Sequence, residues 1–476
     1  MDLAVLYRCE ILNDSPPVMS LAEPDSKKWP KSSKMIGAQE TSAIVDFHNP
    51  CHIITLDKFA PHQFLASHIT PPQPRDSYHL IFQMSRQALS YPAVEKHQKK
   101  PSTFNHYVQD LSSMPSTNPI FIAVIGAGGV GKCFLSQLRD LTIRRPFPKL
   151  NLCYIATSRK ALYNDDYSSI DLESAVDILA KSSKTPPSLP DLVAYLTKAP
   201  GKAIIVDNTS SQDVADAYPT ALKAGISVVT PNKKAFSGPY KLWQDIFQAS
   251  ATSGAKVYHE SSVGAGLPVI STLKDLVETG DEITKIEGVF SGTMSFLFNS
   301  FAPTSGSGGK WSDEVKKAKE LGYTEPDPRD DLNGLDVARK LTILARLAGL
   351  PVESPTSFPV ESLIPKELES CSSGDEFLEK LPSFDQKMDE KKASAGNKVL
   401  RFVGSIDVAS KDVKVGLQTF EPSHPIAALK GSDNIISFYT KRYGSNALIV
   451  QGAGAGGDVT AMGVTADLIK VIGQIS

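Results

Sequence analysis

The sequence has few cysteines, and they show none of the spacings that bind metal or build a disulfide framework. Five cysteines, an odd number, are scattered along 476 residues without a CxxC pair. This usage predicts a reducing compartment and argues against structural zinc. The five are Cys9, Cys51, Cys133, Cys153 and Cys371.

The chain also has little net charge and no long apolar run. The formal net charge is −2, which offers no general attraction to nucleic acid or to an anionic membrane. No apolar run approaches the roughly 18 residues that a membrane span needs. The start of the chain is too acidic for a transit peptide and has no signal-peptide core. We therefore expect a cytoplasmic protein that binds neither nucleic acid nor membrane.

Residues 1–118 differ in composition from the rest of the chain. They are rich in proline, serine, lysine and histidine, with breakers such as SPP and TPPQPRD and little periodicity. Because such a segment cannot bury enough apolar surface to order itself, the composition predicts a disordered extension. A regulatory or interaction tail is the alternative.

The globular part begins at Ile120. The run IFIAVI predicts a buried parallel strand, and GAGGVG then leads into a helix, which is the context that a dinucleotide fingerprint requires. In that fingerprint Gly126 permits a tight turn, Gly128 lets the backbone approach the pyrophosphate, and Gly131 lets helix and strand pack closely. The predicted cofactor-binding residues of this turn are Gly126, Ala127, Gly128, Gly129, Val130 and Gly131.

The end of the second predicted strand, Leu150–Ala156, bears on the choice of cofactor. Sites specific for NAD place Asp or Glu there to hold the ribose 2′-hydroxyl. This chain has TSRK instead, and Ser158 and Arg159 suit a 2′-phosphate. The sequence therefore favours NADP, with NAD possible and a solvated basic turn as the alternative.

Three later strands also end in polar residues. They are predicted in KAIIVDNTSS, GISVVTPNKKAF and KVYHESSVGAGLPVI, and their ends bring Thr209, Ser210, Lys233 and Glu260. Because the carboxyl ends of parallel strands line the ligand crevice, we expect these residues near cofactor and substrate. Each tip taken alone is also compatible with ordinary turn chemistry.

After Pro268 the pattern changes to short helices and then four alternating segments that predict antiparallel strands. QGAGAGG follows, and then a closing helix that we expect to return to the first domain. The predicted fold class is α/β, a Rossmann-type dinucleotide-binding domain with an inserted α+β domain.

The residues that could handle a proton are few. His259, which we place within a strand, is expected to be structural, and His424 lies in a loop whose position the sequence does not define. No cysteine lies at a strand tip that would suit a nucleophile, and zinc ligands are lacking. Lysine and carboxylates remain. Leu321–Lys340, with a helix expected from about Leu332, supplies both, and Asp336 and Lys340 share a helix face. Taken alone, this segment also fits an acidic loop that caps an amphipathic helix.

Seven motifs in order resemble homoserine dehydrogenase: GAGGVG, VDNTSS, TPNKKAF, SVGAGLP, FSGT, GYTEPDPRDDLNGLDVARK and QGAGAG. The resemblance covers essentially residues 119–476 and is closest to the short monofunctional form, without a kinase or a C-terminal regulatory domain. It implies interconversion of L-homoserine and L-aspartate 4-semialdehyde with NAD(P)(H), a step toward threonine and methionine. It also implies a homodimer and gives residues 1–118 no role.

The resemblance also implies roles for single residues. Lys340 corresponds to the proton donor or acceptor, Asp336 to its neighbour that contacts substrate, and Glu325 to the carboxylate that binds the substrate amino group. Lys233 lies near substrate and cofactor, while Asp330 and Asp331 are weaker substrate candidates. Further cofactor contacts are expected at Thr209, Ser210, Gly322 and Gly456. Whether Lys340 moves the proton itself or only orients the oxygen, with water as carrier, stays open.

The resemblance further implies a monovalent cation, sodium, bound by the Glu260 carboxylate and the carbonyls of Val263, Ala265 and Leu267, with a plain tight turn as the alternative. Hard oxygen ligands suit such an ion. The expected domains are residues 119–268 for the dinucleotide, 269–451 for substrate binding and dimerisation, and 452–476 as the closing segment.

Two other functions compete with this interpretation. One is a different nicotinamide oxidoreductase that acts on a small amino acid. The other is a catalytically silent nucleotide-binding protein, which predicts degraded acid–base positions, whereas Lys233, Glu325, Asp336 and Lys340 are all intact.

Overall fold

The computed structural model describes residues 39–45, 80–86, 118–145 and 148–476. Strands β1 (Gln39–Val45) and β2 (Leu80–Arg86) pair with each other in antiparallel register. The rest of the extension that we expect to be disordered lies outside the described residues. Among the described residues, no helix combines the length and the apolarity needed to cross a membrane.

Residues 118–476 contain two sheets. The first has six strands in the order β5-β4-β3-β6-β7-β8. All neighbours pair in parallel except β5, which is antiparallel to β4. The strands are β3 (Ile120–Ile125), β4 (Leu150–Ala156), β5 (Ala161–Tyr163), β6 (Lys202–Asp207), β7 (Ser227–Val229) and β8 (Val257–Tyr258).

Helices cover both faces of this sheet. They are α1 (Gly129–Arg144), α2 (Ala175–Lys181), α3 (Leu189–Thr197), α4 (Gln212–Asp216), α5 (Tyr218–Lys223), α6 (Lys234–Ser237) and α7 (Tyr240–Ser253). Ile122 and Val124 of β3 pack on the side of α1, while Phe121 and Ala123 pack on the side of α3 and α5. Burial on both faces explains why β3 is a continuous apolar run, as the sequence predicted.

The second sheet has five antiparallel strands in the order β11-β10-β9-β12-β13. The strands are β9 (Ile283–Val289), β10 (Val399–Asp407), β11 (Asp412–Phe420), β12 (Asp433–Thr440) and β13 (Leu448–Ala453). The four alternating segments predicted from the sequence thus form β10 to β13. β9 lies in the middle of the sheet, between β10 and β12.

The helices around the second sheet carry the acidic segment that the sequence singled out. They are α8 (Val269–Glu278), α9 (Gly292–Phe301), α10 (Trp311–Glu320), α11 (Arg329–Leu332), α12 (Leu335–Leu347), α13 (Gly374–Lys380), α14 (Asp385–Ser394) and α15 (Pro425–Ala428). The main helix of that segment starts at Leu335 and not near Leu332, because Gly334 adopts a left-handed conformation with φ +74° and separates α11 from α12.

The closing helix α16 (Gly457–Ile475) returns to the first sheet, as predicted. Its residues Val464 and Leu468 are buried in the same apolar cluster as Phe134 and Leu138 of α1. Gln137 of α1 also donates a hydrogen bond to the main-chain oxygen of Asp458 at 3.0 Å. The part of the chain that contains the second sheet is therefore inserted between β8 and α16, which confirms the predicted fold class.

Candidate active site

Lys340 and Asp336 form an ion pair on the first two turns of α12. Lys340 Nζ lies 2.8 Å from Asp336 Oδ2, at the i, i+4 spacing that places both side chains on one face. The Lys340 ammonium also donates a hydrogen bond to the main-chain oxygen of Phe290, at 2.5 Å, just beyond the end of β9. Lys340 is 7% exposed, so its charge is held by these two partners rather than by water.

A second lysine reaches the same carboxylate from the other sheet. Lys233 Nζ lies 3.3 Å from Asp336 Oδ1. Lys233 precedes α6 directly and follows the end of β7, where the sequence predicted a polar tip at the ligand crevice. The structure thus brings together Lys233, Asp336 and Lys340, which the sequence placed in two separate motifs.

Burial and charge act in opposite directions on this cluster. Burial lowers the pKa of Lys340 below its ordinary value of 10.5, and Lys233 lowers it further, while Asp336 raises it. Partial burial acts to raise the pKa of Asp336, but Lys340 and Lys233 outweigh it and hold that pKa well below the usual range. The arrangement therefore keeps Asp336 ionised and makes the proton of Lys340 easier to lose than that of an exposed lysine.

Asp331 organises the loop that carries Glu325. Its carboxylate accepts a hydrogen bond from the Glu325 backbone N–H at 2.8 Å and another from the Thr293 hydroxyl at 2.8 Å. The same Thr293 hydroxyl also lies 2.6 Å from the main-chain oxygen of Tyr323, so its one proton is shared between two acceptors. Burial raises the pKa of Asp331. The Glu325 side chain is exposed, which leaves its carboxylate available to a ligand.

Two other predicted residues of this segment lie further out. Asp330 is exposed on α11. Gly322 is exposed just after α10, with φ +73°, a conformation that favours glycine. Thr293 was missed by the sequence reasoning, although it lies in the FSGT motif that carries part of the resemblance.

The glycine turn after β3 has the shape of a phosphate cradle. A Cβ on Gly131 would lie 2.0 Å from the main-chain oxygen of Gly126, so only glycine fits there, whereas Gly128 and Gly129 face open space. Gly128 precedes α1 and offers no side-chain cap, which leaves the N–H groups at the start of α1 for a ligand such as phosphate. The amide of Asn208, next to this turn, is buried without a hydrogen-bond partner. These features fit a bound dinucleotide.

Other predicted cofactor residues surround this cradle. A Cβ on Gly126 would lie 2.8 Å from Thr209 Cγ2, which places Thr209 directly beside the turn. Ser210, which follows, is exposed. Gly456, with φ +117°, precedes α16, and a Cβ on the adjacent Gly457 would lie 3.7 Å from the main-chain oxygen of Gly129. The late glycine cluster thus meets the start of α1.

The basic turn after β4 leaves two side chains free for a ligand. Ser158 and Arg159 are exposed. The hydroxyl of Thr157 accepts a hydrogen bond from the backbone N–H of Lys160 at 3.1 Å, and the Lys160 ammonium donates to the main-chain oxygen of Ala180. Lys160 therefore has a structural partner, and Arg159 remains the cation of this turn that can meet a 2′-phosphate.

A buried network lies behind the cofactor turn and the Lys233 loop. Asp207, fully buried at the end of β6, accepts hydrogen bonds from the Thr209 N–H at 2.8 Å, the Asn232 amide at 3.1 Å and the Tyr218 hydroxyl. Burial raises the pKa of Asp207. We expected the polar tip of this strand to face the crevice. The carboxylate of Asp207 instead points inward and joins the segment of Thr209 to that of Lys233.

The loop after β8 differs from the sequence prediction in two ways. β8 ends at Tyr258, so His259 lies outside the strand. The His259 ring is buried, stacks on Phe236 at 3.8 Å and lies 3.0 Å from the Ser262 hydroxyl through Nδ1. Burial lowers the pKa of His259 well below its ordinary value, in keeping with a structural role.

The second difference concerns the carboxylate of Glu260. It accepts hydrogen bonds from the backbone N–H groups of Ile270 at 2.7 Å and Ser271 at 3.0 Å, so it caps the start of α8. Lys470 Nζ lies 3.6 Å from the same carboxylate. Much of its hydrogen-bonding capacity is therefore already used. Between Glu260 and α8 the chain turns through Gly264 (φ +78°) and Ala265 (φ +54°).

The parallel sheet with its glycine turn, together with the lysine–carboxylate cluster beside it, defines a dinucleotide-dependent dehydrogenase. Two family models match the chain, homoserine dehydrogenase NAD binding domain over residues 126–260 and homoserine dehydrogenase over residues 268–469. The chain belongs to the homoserine dehydrogenase family.

Curated relatives agree with this assignment. The chain is similar to a homoserine dehydrogenase of Emericella nidulans, 60% identical over 372 residues that cover 75% of this chain and 99% of that protein. It is 52% identical to a homoserine dehydrogenase of Saccharomyces cerevisiae, with 75% and 99% covered. It also covers 39% of a bifunctional aspartokinase/homoserine dehydrogenase of Zea mays, at 44% identity. The match to nearly the full length of the two fungal proteins confirms the predicted resemblance to the short form of the family.

Solved structures share the fold. A crystal structure of a Candida auris protein of unknown function is 49% identical, with a TM-score of 0.71 over 75% of this chain and 99% of that chain. A hyperthermophilic archaeal homoserine dehydrogenase in complex with NADPH has a TM-score of 0.58 at 23% identity, over 74% and 97% of the two chains. The predicted oxidoreduction between L-homoserine and L-aspartate 4-semialdehyde with NAD(P)(H) is confirmed at the level of the family.

Proposed function

We propose that Lys340 and Asp336 form the acid–base centre of this homoserine dehydrogenase. The observation that carries the proposal is the buried Lys340 ammonium, fixed by Asp336 at 2.8 Å and by the Phe290 carbonyl at 2.5 Å. The nicotinamide cofactor supplies or accepts the hydride. The protein must then stabilise the oxygen that gains charge as the aldehyde is reduced, and an ammonium in a dry environment does this strongly.

In the direction of reduction, Lys340 donates a hydrogen bond to the aldehyde oxygen and then gives it a proton, directly or through water. Its lowered pKa makes that transfer easier. Asp336 keeps the ammonium charged before the reaction and restrains its position. In the direction of oxidation, the same lysine takes up the proton of the homoserine hydroxyl.

The remaining polar groups bind the amino-acid end of the substrate. Glu325 is exposed, and its backbone is held by Asp331, so its carboxylate is available to the α-ammonium group. We assign Asp331 to the substrate site as the residue that fixes this loop. Lys233 adds a second cation between substrate and cofactor.

The direct test is an NADPH-linked assay of the full chain with L-aspartate 4-semialdehyde, beside other small aldehydes. We expect kcat/KM to be highest for aspartate semialdehyde. Faster turnover of another small amino-acid aldehyde would favour the second candidate function, a different nicotinamide oxidoreductase that acts on a small amino acid. Equal turnover of an aldehyde without the amino group would mean that the Glu325 carboxylate contributes nothing.

We propose that NADPH binds more tightly than NADH. Arg159 supports this, because it is exposed after β4, where an acidic residue would otherwise hold the ribose. Arg159→Ala should weaken NADPH binding about 10-fold, the effect of losing one charge-assisted hydrogen bond, and leave NADH binding nearly unchanged. Arg139→Ala, at an exposed position on α1, is the control. Equal losses for both cofactors would contradict the proposal.

We also propose that the loop after Glu260 binds sodium. The left-handed backbone at Gly264 and Ala265 supports the idea, since it turns successive carbonyls in different directions. Because the Glu260 carboxylate already caps α8, the carbonyls of Val263, Ala265 and Leu267 would supply most of the ligands. Replacing sodium chloride with choline chloride at constant ionic strength should lower the midpoint of thermal unfolding. An unchanged midpoint and unchanged activity would exclude the ion.

The homodimer, the cytoplasmic location and the domain boundaries of residues 119–268, 269–451 and 452–476 remain proposals. Ile449 supports a second copy on the five-stranded sheet, because it is 39% exposed on edge strand β13. Light scattering of the full chain would contradict the dimer if it gave the mass of one chain.

The cysteines that the structure describes bear on the location. Cys133, Cys153 and Cys371 are free thiols, which suits a reducing compartment.

A further inference from the structure

Arg346 is a buried cation on α12, six residues after Lys340, and it is 3% exposed. Its guanidinium donates to four main-chain oxygens, those of Phe236 at 2.6 Å, Gly238 at 2.6 Å, Val352 at 2.9 Å and Glu353 at 2.9 Å. Arg346 therefore uses the planar fork of its side chain to hold backbone on two different segments.

Two of these oxygens lie at the C-terminal end of α6. This helix has only four residues, too few to be stable by itself, so it depends on tertiary contacts. Phe236 and Gly238 present carbonyls at that end, where a cation is favourable. At the other end, the N–H groups of Phe236 and Ser237 donate to the main-chain oxygen of Lys233, at 3.0 and 2.8 Å.

The short helix α6 is thus attached to α12 at both ends. Lys233 at its start meets Asp336, and the carbonyls at its end meet Arg346. α6 belongs to the six-stranded sheet that binds the dinucleotide, whereas α12 carries Asp336 and Lys340 of the substrate part. Arg346 therefore links α6, which carries Lys233 at its start, to α12, which carries Asp336 and Lys340.

We propose that Arg346 is a positioning residue for the reaction: by holding the end of α6, it sets the Lys233 ammonium against Asp336 and so tunes Lys340. This inference rests on the roles proposed above for Lys233, Asp336 and Lys340. The charged groups that face Lys340 are Asp336 on its own helix, Lys233 before α6 and Asp331 on α11.

The chain offers a matched control. Arg401 is also buried, 2% exposed, and also donates to four main-chain oxygens. Its acceptors are those of Phe298, Ala302, Leu400 and Ala427. All of them lie in the substrate part, so Arg401 braces that part without reaching α6. Arg401→Lys should affect stability without moving Lys233.

The experiment compares Arg346→Lys with Arg401→Lys in the full chain. The measurements are the midpoint of thermal unfolding, Kd for NADPH, and kcat and KM for aspartate semialdehyde across pH, at a temperature where all variants are folded. A lysine keeps the charge of Arg346 but cannot satisfy four carbonyls. We expect Arg346→Lys to lower kcat ~10- to 100-fold, the usual effect of a small misplacement, with NADPH binding changed less than ~3-fold.

The pH profile distinguishes positioning from general destabilisation. Because Lys233 lowers the pKa of Lys340, its displacement in Arg346→Lys should move the alkaline loss of activity to higher pH. Arg401→Lys should leave both kcat and this profile as in the wild type. An unchanged profile in Arg346→Lys, or an equal loss of kcat in both variants, would overturn the inference.

A second variant covers the case in which Arg346→Lys does not fold. The guanidinium lies 5.3 Å from the centre of the Tyr240 ring, so Tyr240→Leu loosens it without removing it. We expect the same shift of the pH profile, smaller in size, and an unshifted profile would count against the role. If the wild type itself does not reduce aspartate semialdehyde, the proposed function fails. If the wild type is active and the Arg346 and Tyr240 variants have the same kcat and pH profile as the wild type, the proposed function stands and this inference alone fails.

Discussion

Lys340 and Asp336 lie 2.8 Å apart on successive turns of α12, but they differ in their access to solvent. The Lys340 side chain is 9% exposed and the Asp336 side chain is 40% exposed. The free side of the carboxylate meets Lys233, so one acidic group serves two cations. Asp336 favours the charged form of Lys340, so the buried lysine keeps its proton. Burial and the neighbouring Lys233 favour the neutral form, so the proton is lost more readily than from a lysine in water.

Lys340→Ala should lower kcat ~10²- to 10⁴-fold, the range expected when a general acid is removed. The steady-state rate of NADPH oxidation with aspartate semialdehyde measures this. Lys380→Ala is a matched control, because Lys380 forms the same i, i+4 pair with Glu376, at 2.6 Å, on α13, and its side chain is 54% exposed. Turnover of Lys340→Ala at the wild-type rate would refute the assignment.

The rate of aldehyde reduction should fall at alkaline pH with an apparent pKa below 10.5. The reason is that reduction by the proposed mechanism needs protonated Lys340, and burial lowers the pKa of this group. Asp336 raises that pKa, so Asp336→Asn should move the loss of activity to lower pH as well as reduce kcat. The kcat profile between pH 6 and pH 11 measures both effects. If kcat of Asp336→Asn fell at the same alkaline pH as kcat of the wild type, a group other than Lys340 would be responsible.

The sequence predicted those parts of the molecule whose cause is local. The apolar run of β3 and the glycines after it follow from burial on two faces and from a close approach between helix and strand, which only particular residues allow. Lys340 and Asp336 were paired correctly because helical spacing alone brings i and i+4 together.

The contacts between distant segments could not be predicted in this way. The sequence named Lys233 and Asp336 separately, but their contact depends on how two sheets pack, which no local pattern records. For the same reason, the sequence did not reveal that Asp207 turns inward to join two loops or that Glu260 caps α8. The sequence prediction extended a strand through His259 to Glu260, whereas β8 has only two residues.

Glu325→Gln should raise KM for aspartate semialdehyde and for homoserine ~10- to 100-fold, because a charge-assisted hydrogen bond to the α-ammonium is lost. Kd for NADPH should stay the same. Glu320→Gln, at an exposed position at the end of α10, is the control. An unchanged KM, or a parallel loss of NADPH binding, would mean that Glu325 does not bind the substrate amine.

Gly131→Ala should destabilise the protein and weaken the binding of both cofactors, whereas Gly129→Ala should leave stability unchanged or slightly higher. A methyl group on Gly131 would lie 2.0 Å from the main-chain oxygen of Gly126, a backbone atom that cannot move without the whole turn. Overpacking of this kind costs ~1–3 kcal/mol, and the turn that shifts is the one that we propose to hold the pyrophosphate.

Gly129 is the matched control because it lies in the same turn and faces open space. Alanine is also the better residue in a helix. Thermal unfolding without cofactor separates the two variants by stability alone. Titration with NADPH then measures how tightly each variant binds the cofactor. If Gly131→Ala unfolded at the wild-type temperature and bound NADPH normally, the turn would be able to open at little cost. The close contact between α1 and β3 would then not be what selects glycine at this position.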